Sequence, residues 1–414
     1  MNLAKRFSIP HRDNWPSPSL YYEAINSSTH QFKEEIYDIY FGAKFRYNYR
    51  EKEAWDNYPK PHEVLYGNVM GVEATNEQID NLFRIQKDFG IEISLTINQL
   101  NVPIELYYSK NDRVLEAFIN WLQEFYDRGL RSCTLANNHL MRSGVLHKRF
   151  PEMKWKNTVN QQVSTAQQVL DYLYLGYNVV QLDRSLNRNM DELKRIREAV
   201  DEYKERYPEK HVKTCMLVWE DCMPSCPFKR EHDDLQMHLR KINYELNPWS
   251  QLTCKTWRDV LGDNTIPRFG TNCYWSSVDT FNEYAELVDI FKYSGRLSPI
   301  IPQGNGTLKA GWLFSNRVAA DSFSTIIENK FEPLYLWIFG TGIFSQLVTD
   351  PEIIQSGLSN NFWMTDQGKK LERVLMNCKN QCHRCHLCEK TFGIDDIQSI
   401  LEPEIPAKLI GKKH

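Results

Sequence analysis

The chain has 414 residues, 42% hydrophobic and 25% charged. Those shares exclude disordered and collagen-like classes, and the length suits one barrel-type domain with a small appendage. Fifty-three acidic residues against fifty basic ones leave a net charge of −3, which argues against a general polyanion binder but leaves room for a local basic groove.

The opening MNLAKRFSIPHRDNWPSP holds no apolar core for a signal peptide. Further along, short apolar runs alternate with amphipathic helical stretches. The candidate strands are Ile36–Phe41, Val64–Met70, Ile91–Ile97, Ser132–Ala136, Trp155–Val159, Asn178–Leu182, Val212–Val218 and Val288–Tyr293. Thr75-Asn-Glu-Gln78 opens a helix with a capping-box pattern, carried on by Ile79, Leu82 and Phe83 and stopped at Gly90. Ser164-Thr-Ala-Gln167 repeats the pattern before a stop at Gly176, and Asn189-Met-Asp-Glu192 resembles it again. A stop glycine followed by a Val/Ile-rich strand is the rhythm of a βα repeat. About eight such units predict an α/β fold, a (β/α)8 TIM-type barrel, and no Gly-rich dinucleotide fingerprint follows any strand. The division expected is an N-terminal extension over 1–35, the barrel over 36–300, and a Cys-rich C-terminal extension over 301–414. The apolar run Pro333 to Val348, broken by Gly340 and Gly342, falls short of the roughly 20 residues of a membrane span. A soluble, cytoplasmic protein without a span is expected.

In such a barrel the active site lies just past the C-terminal ends of the strands. Those positions hold Asn98, Gln99, Asn137, Asn138, His139, Asn157, Asn160, Asp183, Arg184, Glu220, Asp221, Lys292 and Arg296. Strand-end Asn and Asp also cap the helix that follows, so each has a structural reading beside the functional one. His139 ends a strand with no obvious capping role. Arg184, Lys292 and Arg296 form the cationic candidates, with His139 and Asp183 beside them as catalytic candidates.

Cysteine placement says more than cysteine number. Of ten cysteines only Cys133 lies in the first half, which a disulfide scaffold would not leave bare. Cys133 and Cys215 fall inside predicted strands and read as buried small hydrophobes. Cys222-Met-Pro-Ser-Cys226-Pro follows a strand directly, and Cys254 and Cys273 come at long intervals. Four thiolates from separate loops suit one iron–sulfur cluster, whereas zinc more commonly takes two tight pairs. Cys378, Cys382, Cys385 and Cys388 then crowd eleven residues, with His383 and His386 among them. Zinc and a second iron–sulfur cluster both remain open there, in a structural or electron-relay role. The spacing of Cys378, Cys382 and Cys385 also matches a radical-SAM motif, but that motif belongs after the first barrel strand.

The block Trp219-Glu-Asp-Cys222-Met-Pro-Ser-Cys226-Pro-Phe-Lys-Arg, with His232 beyond it, resembles the cysteine signature of the collagenase-like "U-thirty-two" peptidase family. Val288-Asp-Ile-Phe-Lys292-Tyr-Ser-Gly295-Arg296 is similar to the Lys-to-Arg strand of that family, and the tail to a Cys-rich element of some members. The resemblance implies a barrel holding a four-iron four-sulfur cluster on Cys222, Cys226, Cys254 and Cys273. It also implies oxygen-independent hydroxylation of ubiquinone precursors, tRNA or ribosomal RNA, with prephenate as oxygen source. The three-residue gap between the first two ligands, and Trp-Glu-Asp-Cys in place of Gly-Ala-x-Cys, put the chain in an outlying branch.

Three functions compete. The first is an iron–sulfur hydroxylase of a nucleobase or an aromatic or quinone-type ring, its cationic groups holding prephenate or a similar anionic small-molecule co-substrate. The second is a non-catalytic iron–sulfur subunit working with a related partner chain. The third, a peptidase, finds neither a His-Glu-x-x-His motif nor a Gly-x-Ser-x-Gly elbow in the sequence.

Overall fold

The computed structural model describes residues 4–11, 19–48, 63–68, 73–107, 113–219, 278–293, 300–302, 308–310 and 365–391. Eight parallel strands close into a barrel in chain order: β1 (Phe7–Pro10), β2 (Ile36–Gly42), β5 (Glu92–Ile97), β6 (Ser132–Leu135), β7 (Lys154–Lys156), β8 (Val179–Gln181), β9 (Lys213–Trp219) and β10 (Ile290–Tyr293). Pairing of Ser8 with Lys292 and with Asp38 closes the circle. This is the (β/α)8 architecture that the repeat predicts.

Two assignments change. Phe7–Pro10, inside the segment expected as an extension, is the first barrel strand, and the described residues of the expected strand Val64–Met70, 64–68, form no barrel strand. Instead β3 (Lys44–Asn48) and β4 (Glu63–Gly67) pair as an antiparallel hairpin outside the barrel. Alternation decides this. Val64 and Tyr66 are buried while Glu63 and Leu65 are more open, as in a half-covered strand, whereas Ile39, Tyr40, Phe41 and their barrel counterparts are buried on both faces. The Gln99 side chain ties the hairpin to the barrel, accepting from Gly67 N at 3.2 Å and donating to Leu65 O at 3.4 Å. Gly42 ends β2 where the Asn68 side chain lies so close that a Cβ would stand 1.8 Å from its Nδ2. A second pair of strands, β11 (Ile300–Pro302) and β12 (Leu308–Ala310), forms a separate antiparallel hairpin.

The connecting helices form where the caps predict. Helices α1 (Leu20–Ser27) and α2 (His30–Glu35) join β1 to β2. Helix α3 (Asn76–Phe89) has a complete Thr75/Gln78 capping box and stops at Gly90, whose φ of 66° suits glycine. It buries Ile79, Leu82 and Ile85, and α4 (Arg113–Asp127) buries Phe118, Ile119 and Leu122 against the same core. Short helices α5 (Asn138–Ser143) and α6 (Val145–Arg149) follow β6. The cap of α7 (Ala166–Tyr174) is Thr165, one residue later than the Ser164 pattern suggests, because its Oγ1 accepts from Gln168 N. Asn189 caps α8 (Met190–Arg206) as expected. Helix Val278–Ala285 precedes β10, and Asp366–Leu375 leads into the cysteine-rich tail.

Candidate functional site: a polar barrel bore

Barrel interiors are ordinarily filled by branched apolar side chains. Here the middle layer is polar. Ser8 on β1 donates to Asp38 Oδ1 at 2.5 Å, and the Lys156 ammonium on β7 engages the other oxygen of the same carboxylate. Asp38 and Lys156 have side chains 0% and 6% exposed. On β10, beside Ser8, Lys292 Nζ donates to Gln181 Oε1 at 3.0 Å and sits 4.2 Å from the Tyr40 ring centroid. Gln181 Nε2 donates in turn to the Asn157 carbonyl at 2.5 Å and to Thr134 Oγ1 at 3.3 Å. Two ammonium groups against one carboxylate make this layer cationic.

A register shift explains part of the crowding. Phe7 pairs with Ile36 but Ser8 with Asp38, so Tyr37 is an extra residue on β2 and the strand bulges there. Tyr37, Val179, Cys215 and Ile290 floor the bore below the polar layer. Burial pushes the Cys215 thiol up to about 12 and raises that of Cys133 further still, so both stay protonated. The space left among the bore side chains is about 10 Å³, close to what one water occupies. Anything larger than a water would have to lie outside this layer, toward the mouth, and both Lys156 and Lys292 line the bore.

The expected site residues separate into groups. Lys292 enters the bore. Arg184 is buried on a 3-10 turn, Arg184–Arg188, at the mouth and donates to Asn160 Oδ1 at 3.4 Å. Asp183 caps that turn, its carboxylate accepting from Ser185 N at 2.9 Å. His139 is exposed on α5, its ring 5.3 Å from that of Tyr107, away from the bore. Arg296, Glu220, Asp221, Cys222, Cys226, Cys254 and Cys273 lie outside the described residues. The strand-end amides are mostly structural: Asn137 caps α5 through Leu140 N at 2.9 Å, and Asn157 Nδ2 bridges to Gln181 O at 3.1 Å.

Sequence reading missed Ser8, Asp38, Tyr40, Lys156 and Gln181. A signal was present. A charge in the centre of a strand buried on both faces costs several kcal/mol unless paired, so Asp38 and Lys156 mark each other as partners across the bore.

The tail docks at the rim of the mouth. Met190 N donates to Met376 O at 3.2 Å, Asn189 bridges to Asn377, and Lys379 pairs with Asp191 at 2.7 Å. Asn189 directly follows the turn that carries Arg184. Cys378 and Cys388 pack on Leu371 and Leu375, and Asn380 N donates to Cys378 Sγ at 3.4 Å. None of Cys378, Cys382, Cys385 and Cys388 is in a disulfide. As a donor set four thiols suit a thiophilic metal, but among the described residues no three His, Cys, Asp or Glu side chains stand together closely enough to hold one. Among the same residues no helix is long and apolar enough to cross a membrane.

No family model matches the chain, and no curated protein matches it. Among solved structures it is similar to the U32 peptidase Mk0906, with a TM-score of 0.44 and 14% identity over 70% of this chain and 93% of that one.

Proposed function

We propose that the chain is an iron–sulfur-dependent, oxygen-independent hydroxylase of a planar unsaturated substrate, a nucleobase or an aromatic or quinone-type ring. Its oxygen donor is an anion of the prephenate kind. The observation that supports this is the position of Lys292 in a cationic bore, on the strand beside β9. Leu217 of β9 pairs with Lys292 and Trp219 with Tyr293, and Trp219 stands three residues before Cys222 in the chain.

The four thiols assigned to the cluster, Cys222, Cys226, Cys254 and Cys273, fall outside the described residues. The described groups suit it in charge, because a cluster on four thiolates is an anion and the bore is cationic. When bound, the cluster supplies electron chemistry that side chains lack. The chain's own groups do the holding. Lys292 offers a point charge to a donor carboxylate, and Gln181 fixes the lysine's direction. Arg184 and Arg296 offer forks that can grip a carboxylate through two parallel bonds. The tail thiols would have to draw closer together than they stand here to hold a separate metal, zinc or a second cluster, in a structural or relay role.

The test is an anaerobic assay with reductant, candidate ring substrates and prephenate, read by mass spectrometry for one added oxygen. Product formed without O₂ and lost in Lys292→Met supports the proposal. Product that needs dissolved O₂ overturns it. A cluster-bearing chain that is inactive alone and active with a second chain identifies a partner subunit instead.

A further inference from the structure

The opposite end of the barrel carries a second cationic cavity, unconnected with the hydroxylase reading. It lies where β9, β10 and β1 begin and is lined by Ala4, Lys5, Arg6, Lys213 and Asp289, with a volume of about 220 Å³. The Tyr37 floor separates it from the bore: the Lys156 ammonium lies 5.3 Å from that ring's centroid and the Lys213 ammonium 5.1 Å.

Its single carboxylate is already committed. Asp289 Oδ1 pairs with Arg197 at 3.1 Å, and Oδ2 accepts from Thr214 N at 2.8 Å and from Thr214 Oγ1 at 3.2 Å. Three cations therefore face the cavity with little left to neutralise them. Arg6 is held in place, its Nη1 donating to Ala285 O at 3.0 Å and Val288 O at 2.9 Å, which fixes the direction of the rest of the guanidinium. Lys213 is half-buried, and among the described residues its ammonium meets no hydrogen-bond acceptor, only the Tyr37 ring and the field of Asp289. Burial lowers its pKa first; Asp289 raises it, and Arg6, Lys204 and Lys154 lower it further. A desolvated ammonium beside other cations lacks an anion.

We propose that this cavity at the closed end binds a phosphate group, free or esterified, between Arg6 and Lys213 with Lys5 at its edge. A tetrahedral dianion fits because it accepts from several donors at once, where chloride offers one point charge.

The experiment is calorimetric titration of the full chain with inorganic phosphate and with glycerol phosphate, in chloride buffer of constant ionic strength. Wild-type protein should bind one equivalent, and Lys213→Met, which keeps the stem on Tyr37, should weaken it about tenfold, the loss of one charge-assisted hydrogen bond. Lys5→Met should weaken it less, and Lys292→Met should bind as wild type. Tighter binding of glycerol phosphate than of phosphate identifies an ester as the ligand. Absence of binding in folded wild-type protein, unchanged binding in both Lys213→Met and Lys5→Met, or loss of binding in Lys292→Met would each overturn the proposal.

Discussion

Lys292 reaches past β9 to Gln181 on β8, its ammonium 3.0 Å from Oε1. The amide cannot turn round, because its nitrogen donates to the Asn157 carbonyl at 2.5 Å and to Thr134 Oγ1 at 3.3 Å. The glutamine is thus a positioning group that holds its oxygen toward the lysine.

Gln181→Leu should therefore act on stability and on donor binding together. Removing the amide leaves Lys292 without this acceptor and the buried Asn157 carbonyl without this donor, at a cost of about 2 kcal/mol. Urea unfolding measures that cost. In the anaerobic assay the variant should need more donor for half-maximal rate. An unchanged unfolding midpoint would show that the amide contributes nothing to the bore.

The Asp38–Lys156 pair makes a sharper test. Either Asp38→Asn or Lys156→Met alone should cost about 3–5 kcal/mol, because each strands a buried charge. The double variant Asp38→Asn with Lys156→Met should recover most of the loss. Additive costs in the double-mutant cycle would mean that the two charges are not coupled.

Alkaline pH should destabilise the fold through Cys215. Its thiol, ordinarily at 9.0, is pushed up to about 12 by burial. Between those values the folded chain keeps a proton that the unfolded chain has released. The contribution is intact below pH 9 and falls as pH rises toward 12, by about 1.4 kcal/mol per pH unit. Cys215→Ala should flatten that part of the stability–pH curve. A slope equal to that of the wild type would place the thiol in contact with water.

Metal content separates the two groups of thiols. Anaerobic wild-type protein should be brown, and Cys222→Ala or Cys226→Ala should lose the iron that Cys133→Ala retains. Replacing Cys382 and Cys385 together should remove a different metal and leave the barrel iron in place. If iron falls equally in all of these, the losses report unfolding. If the tail replacement alone removes barrel iron, the tail donates a ligand to the barrel site.

The βα rhythm, the capping box at Thr75 and the stop at Gly90 were legible in the linear chain because each depends on residues within one or two turns. Lys292 was legible for a similar reason: it lies toward the C-terminal end of a predicted strand, where a barrel carries its site residues. The identity of the first strand was not. Phe7–Pro10 is four residues long, too short to show a period, and only pairing with Ile36–Tyr40 on one side and Phe291–Lys292 on the other makes it a strand.

Tertiary structure alone made Glu63–Gly67 half of a hairpin, since strand propensity is the same for a barrel and for a ribbon outside it. It also decided what the polar residues do. Asp38 and Lys156 are 118 positions apart and become partners only when the barrel closes, whereas His139, beside the mouth in sequence, turns outward to Tyr107 because Asn137 starts a helix there. Local sequence sets where a strand or a helix begins. Which side chains face one another across the bore depends on barrel closure and on the extra residue at Tyr37, and closure is a property of all eight strands together.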